Sequence, residues 1–579
     1  MILKKLIKNK YWLAVFFIFG VILSSRLLFL SADLPSTHVE IEEKLGGYAA
    51  RNMIFLNRWP LYQNWYQPMV WAPVQGFLSY LSFRFFGVGL GQFRFPTALA
   101  SFIGLIFFFI ILLRQTNRTF AILGLLVYAL SFEITVWNRS ALIENLYLLF
   151  MPLAVYFLTK KSFGVKDIFF LVFFSALNVV VKLDGYPFFL TTIIFLFIWS
   201  LRTKSFLKNI KPIILGSMAA FMIFLALFAF FDAFKYFLPM YKFLFSIMAR
   251  DSPLIQGMFF ALRKLLAILL SIDPYVLLAF LISLPVWVIN RKRFNRVDLF
   301  MLIFLFISIF TRLQIPMQYI YFKRTIFLYF PFIYIIFRSL FFLYSKSEAL
   351  TVGKKTVIEI FIELTAPSFY CLSFLYFYIF YFSQSISRLY TYGEFSESFH
   401  KTSGSFIYLL LIIILSMGCL NGLIFFGQSR KLKKILLILI LFFVFVSLGI
   451  NGINVNKMFF PENIKFSYQE NLKFAKMIPE NEMIVGHEQG FRAFAYLAKN
   501  DFYFNHDGGA NPIEYREVLE RQDLRYFVTN IEEFWSGRWG ISNQTRLEII
   551  KQAYPDLKLL GVFFASKVPL AIYDKYGNR

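Results

Sequence analysis

Long apolar stretches rich in Phe, Leu and Ile follow one another along the chain as far as about residue 453. Because a membrane-spanning helix needs about 20 predominantly apolar residues, this pattern predicts roughly 13 spans. The predicted spans lie near residues 11–30, 95–113, 119–136, 145–159, 167–181, 186–201, 212–235, 270–290, 297–311, 320–343, 356–381, 404–427 and 435–453. The predicted fold class is therefore mainly α, a polytopic bundle of membrane helices.

The gaps between the apolar stretches alternate between short basic segments and segments that hold most of the carboxylates. The basic segments are Lys4–Lys10, Arg114–Arg118, Lys160–Lys166, Arg202–Lys211, Arg291–Arg296, Lys346–Lys355 and Arg430–Lys434. Short loops rich in Lys and Arg stay on the cytoplasmic side of a membrane. We therefore predict an integral protein of the inner or plasma membrane whose N-terminus is cytoplasmic and whose carboxylates gather on the outer face.

Residues 72–87 are apolar but ambiguous as a span. If they crossed the membrane, Arg114, Arg118 and every later basic loop would change sides. The segment is short, begins beside Pro73 and contains Arg84, as an amphipathic helix in the membrane interface can. We therefore predict that it lies in the interface, which leaves an odd number of spans and places the C-terminus outside.

The composition changes at about residue 456, where charged and polar residues replace the apolar stretches. Strand-like runs at 482–487, 501–505, 524–530, 557–565 and 569–575 alternate with helix-like runs at 467–477, 512–521 and 544–553. Such alternation predicts a small α/β domain. The chain then divides into a membrane domain, residues 1–455, with a first outer loop at 31–94, and an outer domain, residues 456–579.

Composition and charge exclude two other classes of protein. With 59% hydrophobic residues and 79 Phe, the chain has too much apolar surface for a soluble globule. The net charge of +26 lies mostly in loops beside apolar spans, so membrane topology explains it better than a nucleic-acid partner does. Cys371 and Cys419 both fall in apolar spans, which gives no basis for a disulfide framework or a cysteine metal site.

The first outer loop contains a pattern typical of a helix lying on the membrane surface, residues 40–52. Glu42 and Glu43 stand near its start, and Glu43, Gly47 and Arg51 share one face. A solvated amphipathic helix explains the same pattern equally well.

Three later outer segments carry further charged residues. These are Arg139 with Glu144, Lys182 with Asp184, and Arg312 with Lys323 and Arg324. Ionisable groups at membrane depth usually mark function, and cations on the outer side can bind an anion. The alternative is that these cations only pair with carboxylates such as Asp184 and Glu144.

Carboxylates and cations from several loops at one membrane face fit the transfer of a sugar from a polyprenyl phosphate. A carboxylate can deprotonate an acceptor hydroxyl, and fixed Lys and Arg charges can stabilise the departing phosphate. The lipid tail of the donor can lie among Phe-rich helices.

The order of these motifs resembles the GT-C membrane glycosyltransferases, in particular the group of protein O-mannosyltransferases and aminoarabinose transferases. The matching residues are Glu42-Glu43, Tyr48 and Ala50-Arg51, then Pro68, Pro73, Phe86-Gly87 and Arg94, then Arg139 with Glu144, and finally Lys182. The resemblance covers the membrane region well and the tail loosely. No single motif is specific to this family, so the resemblance rests on the order and spacing of the motifs.

The resemblance implies an inverting transfer from a lipid-linked sugar, in which the first-loop acid is the catalytic base. That role falls on Glu42, with Glu43 beside it. We expect Lys182, Arg324 and Arg139 to bind the donor phosphate. We expect the sugar or the acceptor to contact the residues that remain near this site: Glu144, Asp184, Arg51 and Arg94.

The chain departs from the family pattern at two places. The base position holds Glu instead of Asp, which adds a methylene. The aminoarabinose transferases have Glu-Lys before the proline that matches Pro73, where this chain has Trp71-Ala72. That change removes a candidate metal ligand, so we predict no required zinc and leave a divalent metal open. It also argues against transfer of aminoarabinose to lipid A.

Three other functions compete with this one. An oligosaccharyltransferase of the same superfamily would carry a Trp-Trp-Asp signature, whereas the tail has only Glu533-Phe534-Trp535. A lipid or sugar transporter would show inverted repeats and midplane charges, which the sequence lacks. A purely structural membrane scaffold is the third. The predicted partners are a polyprenyl-phosphate sugar, membrane lipids and an acceptor that is a glycan, a lipid or a protein.

Overall fold

The computed structural model describes residues 10–32, 44–57, 72–232, 274–313 and 326–345, with shorter pieces within 438–453 and 478–574. Helices dominate the part before residue 346. They are α1 Lys10–Leu27, α2 Lys44–Leu56, α3 Pro73–Phe86, α4 Leu90–Gln115, α5 Arg118–Leu130, α6 Phe132–Asn138, α7 Tyr147–Leu158, α8 Val165–Val181, α9 Tyr186–Thr203, α10 Phe206–Phe230, α11 Pro274–Ile289, α12 Arg296–Leu313 and α13 Tyr329–Tyr344.

Among the described residues, four helical segments are long and apolar enough to cross a membrane: Leu90–Gln115, Leu183–Thr203, Leu207–Phe230 and Ile326–Tyr344. Shorter apolar helices, among them Tyr11–Leu27, Arg118–Leu130 and Ile143–Leu158, accompany them. The prediction of a mainly helical membrane protein is confirmed. The count of 13 stays a prediction, and the predicted spans 356–381 and 404–427 lie outside the described residues.

The predicted span 119–136 is two helices, α5 and α6, with a break at Ser131. The break frees the carbonyl of Ala129 from regular helix bonding. The Thr135 hydroxyl donates to this carbonyl over 3.1 Å, and the guanidinium of Arg26 donates to it as well. Freed backbone groups in a membrane need such partners, so a buried arginine from α1 supports the break.

The helix at residues 72–87 is shorter than a span. Helix α3 has 14 residues, which corresponds to about 21 Å against about 30 Å of bilayer hydrocarbon. It ends at Gly87, whose positive φ of 81° suits glycine, and it packs against α2 and α4. Its position in the interface stays a prediction.

Helix α4 connects the two ends of the bundle. Its 26 residues correspond to a length of about 39 Å, with Arg94 near one end and Gln115 at the other. Near its middle, Gly104 lies so close to α7 that an added Cβ would fall 1.8 Å from the Leu148 carbonyl oxygen. Small residues allow membrane helices to approach this closely. The end that contains Arg94 is called the Arg94 end below, and the other is called the Gln115 end.

A buried ionic network holds the Gln115 end together. Asp298, which is fully buried, accepts hydrogen bonds from Arg338 at 3.2 Å, from Tyr334 at 2.8 Å and from the Trp287 indole at 3.3 Å. Arg338 also donates to the Gln115 carbonyl. The network therefore joins α4, α11, α12 and α13 at the places where the sequence predicts basic cytoplasmic loops.

We expect Asp298→Asn to lower the free energy of unfolding by about 3–5 kcal/mol, because it leaves the Arg338 cation buried without a carboxylate. The thermal unfolding midpoint of the purified chain measures this loss. Asp167→Asn is the matched control at the same end: Asp167 is also buried, but its partner Lys160, at 2.6 Å, is partly exposed and can be solvated when the carboxylate is lost, so the shift should be smaller. Equal shifts in the two variants would contradict the prediction.

The described part of the tail forms a five-stranded sheet in the order β2-β1-β3-β5-β4. The strands are β1 Met483–Gly486, β2 Phe502–Phe504, β3 Leu524–Asn530, β4 Lys558–Ala565 and β5 Val568–Asp574. Strand β1 is parallel to β2 and β3, whereas β5 is antiparallel to β3 and β4. The strands fall on the five runs predicted from the sequence, and the predicted tail helices lie outside the described residues.

Candidate functional site

Two buried arginines bind the backbone at the end of α1. Arg94 donates to the carbonyls of Leu30 at 2.8 Å and Ala32 at 2.6 Å. Arg139 donates to the carbonyls of Ser25 at 2.9 Å and Phe29 at 3.0 Å. The last carbonyls of a helix lack partners within the helix and attract cations. Both arginines thereby fix the start of the first outer loop at the Arg94 end.

The turn between α6 and α7 is held by side chains from two other helices and by its own Asn145. Thr97 of α4 donates to the Ser140 carbonyl over 3.0 Å, and Gln75 of α3 donates to the Ala141 carbonyl. Asn145 donates to the carbonyls of Trp137 at 2.7 Å and Ser140 at 2.9 Å. These bonds place Glu144 at a fixed position beside the end of α8.

A buried ion pair joins this turn to the end of α8. The Lys182 Nζ lies 2.7 Å from Glu144 Oε1 and 3.5 Å from Asp184 Oδ2. The side chains of Lys182 and Glu144 are only 7% and 4% exposed, whereas that of Asp184 is 25% exposed. The carbonyl of Lys182 accepts from the Tyr147 hydroxyl over 3.2 Å. One lysine thus contacts two carboxylates at the edge of the bundle.

Burial changes the electrostatics of the same region. Burial, together with the nearby positive charge of Arg94, lowers the pKa of Arg139 to about 10. Arg139 therefore keeps its proton at neutral pH while it lies 5% exposed. A nearby anion stabilises the charged form of a buried cation such as this one.

Helix α2 lies against this end of the bundle through its contact with α3. Arg51 is fully buried, donates to the Asn52 side chain and has its guanidinium carbon 5.4 Å from the centre of the Phe55 ring. Glu42 and Glu43 directly precede Lys44, the first residue of α2. Both lie outside the described residues, so the geometry of the predicted base stays a prediction.

Residues 68–230 match the family described as dolichyl-phosphate-mannose-protein mannosyltransferase. The resemblance to the GT-C membrane glycosyltransferases is confirmed. With it, the prediction that the chain is an enzyme of the GT-C type is confirmed too. The matched stretch contains Arg94, Arg139, Glu144, Lys182 and Asp184. Comparison with the sequences of curated proteins finds no significant match.

Two solved structures have a fold similar to that of this chain. ArnT from Cupriavidus metallidurans bound to undecaprenyl phosphate aligns with a TM-score of 0.53 at 13% sequence identity, over 98% of each chain. The same protein in the apo state gives a TM-score of 0.53 at 12% identity, over 97% of this chain and 98% of that one. At such low identity the likeness shows the fold alone, and it extends over nearly the whole chain.

The structure places five of the nine predicted site residues in two groups at the Arg94 end, and the assignment of these residues to a site stays a prediction. Lys182 contacts both Glu144 and Asp184, and Arg94 and Arg139 both bind the end of α1. Arg312, Lys323 and Arg324 cannot be placed: the side chain of the first and the whole of the other two are outside the described residues. Sequence reasoning missed Gln75 and Asn145, although uncharged amides in apolar surroundings were a usable signal.

The described residues contain no group of three His, Cys, Asp or Glu side chains that could hold a metal ion. Glu144 and Asp184 lie near each other, but the lysine between them takes the place that a cation ligated by both would need. The metal requirement of the enzyme therefore stays a prediction from the sequence.

Proposed function

We propose that the chain transfers a sugar from a polyprenyl-phosphate donor to an acceptor on the outer side of the membrane. One observation carries the proposal: the buried group of Lys182, Glu144 and Asp184 lies within the stretch that matches the mannosyltransferase family. The likeness to the fold of ArnT, a protein solved with undecaprenyl phosphate, supports a donor of this kind.

The phosphate of the donor binds Lys182, Arg324 and Arg139 in this proposal. The ion pair with Glu144 holds the Lys182 ammonium in place before the donor arrives. Because an ammonium has three N–H donors, Lys182 can contact a phosphate oxygen while it keeps one carboxylate. As the sugar leaves, negative charge grows on the phosphate, and a fixed cation stabilises that charge more than water does.

Glu42 acts as the base that takes a proton from the acceptor hydroxyl, with Glu43 beside it. Attack from the side opposite the phosphate inverts the configuration at the anomeric carbon. Glu144 and Asp184, together with Arg51 and Arg94, surround the sugar or the acceptor. A carboxylate and an arginine are suited to this because each binds hydroxyl groups through strong, charge-assisted hydrogen bonds.

The orientation in the membrane is part of the same proposal. The Arg94 end faces outwards, the Gln115 end lies on the cytoplasmic side, and the domain at residues 456–579 contacts the acceptor outside. The basic segments at the Gln115 end, such as Arg291–Arg293, support this orientation.

Purified enzyme in lipid vesicles, supplied with a panel of radiolabelled polyprenyl-phosphate sugars and extracts of cell-surface acceptors, tests the proposal. We expect one donor to release its polyprenyl phosphate only when an acceptor is present. Movement of intact lipid-linked sugar between leaflets, without cleavage, would contradict it and favour the transporter. Cleavage of a diphosphate-linked oligosaccharide alone would favour the oligosaccharyltransferase.

A further inference from the structure

One face of helix α10 is exposed along most of its length. Lys208, Lys211, Leu215, Met218 and Met222 recur every three or four residues, so they share this face, and all five are exposed. The opposite face packs on α8, where Ala220 and Phe228 are buried. The exposed face is therefore cationic at its N-terminal end and apolar beyond it. This arrangement is complementary to a lipid with an anionic head group and an apolar acyl chain.

Two of the three lysines near the start of this face, Lys204 and Lys208, occupy locally unfavourable positions. Lys204 adopts the left-handed region with φ of 51°, where a side chain is strained and glycine is the usual residue. Lys208 lies in the first turn of α10, which has no acidic residue, although the positive end of the helix dipole disfavours a cation there. Residues that break local rules are expected mainly at functional sites.

No described carboxylate neutralises these lysines. Two acids of the Gln115 end, Asp167 and Asp298, are already bonded to Lys160 and Arg338. The exposed side chains of lysines 204, 208 and 211 make no hydrogen bond or ion pair within the described part of the chain. Lys204, Lys208 and Lys211 lie within eight residues of each other in the sequence. They therefore form a patch of positive charge next to the apolar strip of Leu215, Met218 and Met222.

We propose that this face of α10 is a binding site for an anionic glycerophospholipid. Its phosphate lies among Lys204, Lys208 and Lys211, and an acyl chain follows Leu215, Met218 and Met222. Electrostatic attraction selects a lipid with net negative charge, and the apolar strip distinguishes a lipid from a free anion. The site lies at the Gln115 end, away from Lys182, and it does not depend on the proposed sugar transfer.

The full-length chain in neutral detergent tests the site through its thermal unfolding midpoint and through lipid retention in native mass spectrometry. We expect phosphatidylglycerol to raise the midpoint more than phosphatidylcholine does. In the variant Lys204→Gly/Lys208→Gln/Lys211→Gln the extra shift should disappear, with affinity weakened about fivefold for each lysine removed. Inorganic phosphate at the same concentration should give no shift, because it lacks the chain that covers the apolar strip.

The single variant Lys204→Gly separates binding from folding. With phosphatidylcholine its midpoint should equal or exceed that of the wild type, because glycine relieves the strain at this position. With phosphatidylglycerol its extra shift should be smaller. A lower midpoint in both lipids would show that Lys204 is structural and would overturn its role in binding.

A matched control removes the same charge elsewhere at the Gln115 end: Lys161→Gln/Lys166→Gln/Lys292→Gln, all three exposed. It should keep the phosphatidylglycerol shift of the wild type. If the control and test variants lost the phosphatidylglycerol shift equally, the shift would depend only on the net charge of the protein. That result would overturn the proposed site. A wild-type shift in the test variant, or a change in its oligomeric state instead of its lipid content, would overturn it as well.

Discussion

Replacing Glu42 by glutamine should lower the rate of sugar transfer by about two to four orders of magnitude, the usual contribution of a positioned general base. Glutamine keeps the shape of the side chain but cannot take a proton from the acceptor hydroxyl. The fold should not change, since the helix that follows, α2, is anchored by buried residues such as Ala50 and Arg51. Initial rates at saturating donor measure the loss.

Glu43→Gln is the matched control, because it makes the same chemical change one residue away. We expect it to keep much more activity than Glu42→Gln, since successive side chains of the surface helix predicted over residues 40–52 would point in different directions. Full activity of Glu42→Gln would remove its role as the base. A loss confined to Glu43→Gln would transfer that role to Glu43.

Replacing Lys182 by alanine should lower the rate of transfer by about a hundredfold or more, as the loss of a group that stabilises transition-state charge does. The same change leaves the Glu144 carboxylate buried without its partner at 2.7 Å. Such an unpaired charge costs about 3–5 kcal/mol of stability. Transfer rate and thermal unfolding midpoint must therefore be measured together.

The double variant Lys182→Met/Glu144→Gln separates the two effects. It removes both charges and keeps roughly the same volume, so the unfolding midpoint should return close to that of the wild type. The transfer rate should stay low, because the cation for the phosphate is still missing. Recovery of wild-type transfer in this variant would show that Lys182 serves only the folded structure.

The sequence predicted where chain segments meet better than it predicted what their side chains bind. The alternation of basic and acidic gaps placed residues 139–144 and 182–184 at one end, and the structure joins them through Lys182 and Glu144. A lysine near a carboxylate fits both an anion site and a simple ion pair. Sequence alone cannot choose between them, since both need the same residues.

The contacts of Arg139 and Arg338 show why the other side-chain contacts were not predicted from the sequence. Arg139 binds the carbonyls of Ser25 and Phe29, and every residue has a carbonyl, so no residue type marks such a partner. Arg338 meets Asp298 from 40 residues away, a pairing set by how α12 and α13 pack. A signal did exist, because an arginine inside a predicted span needs a buried partner.

The contacts at the Arg94 end have a consequence for the order in which the protein is made. The bonds of Arg94, Arg139 and Lys182 described above all have their partners between Ser25 and Asp184. The network at the Gln115 end instead cannot form until Arg338 has been synthesised. Since chains fold from the N-terminus as they are synthesised, these contacts can form in the membrane while more than half of the polypeptide, Arg324 included, is still to be translated.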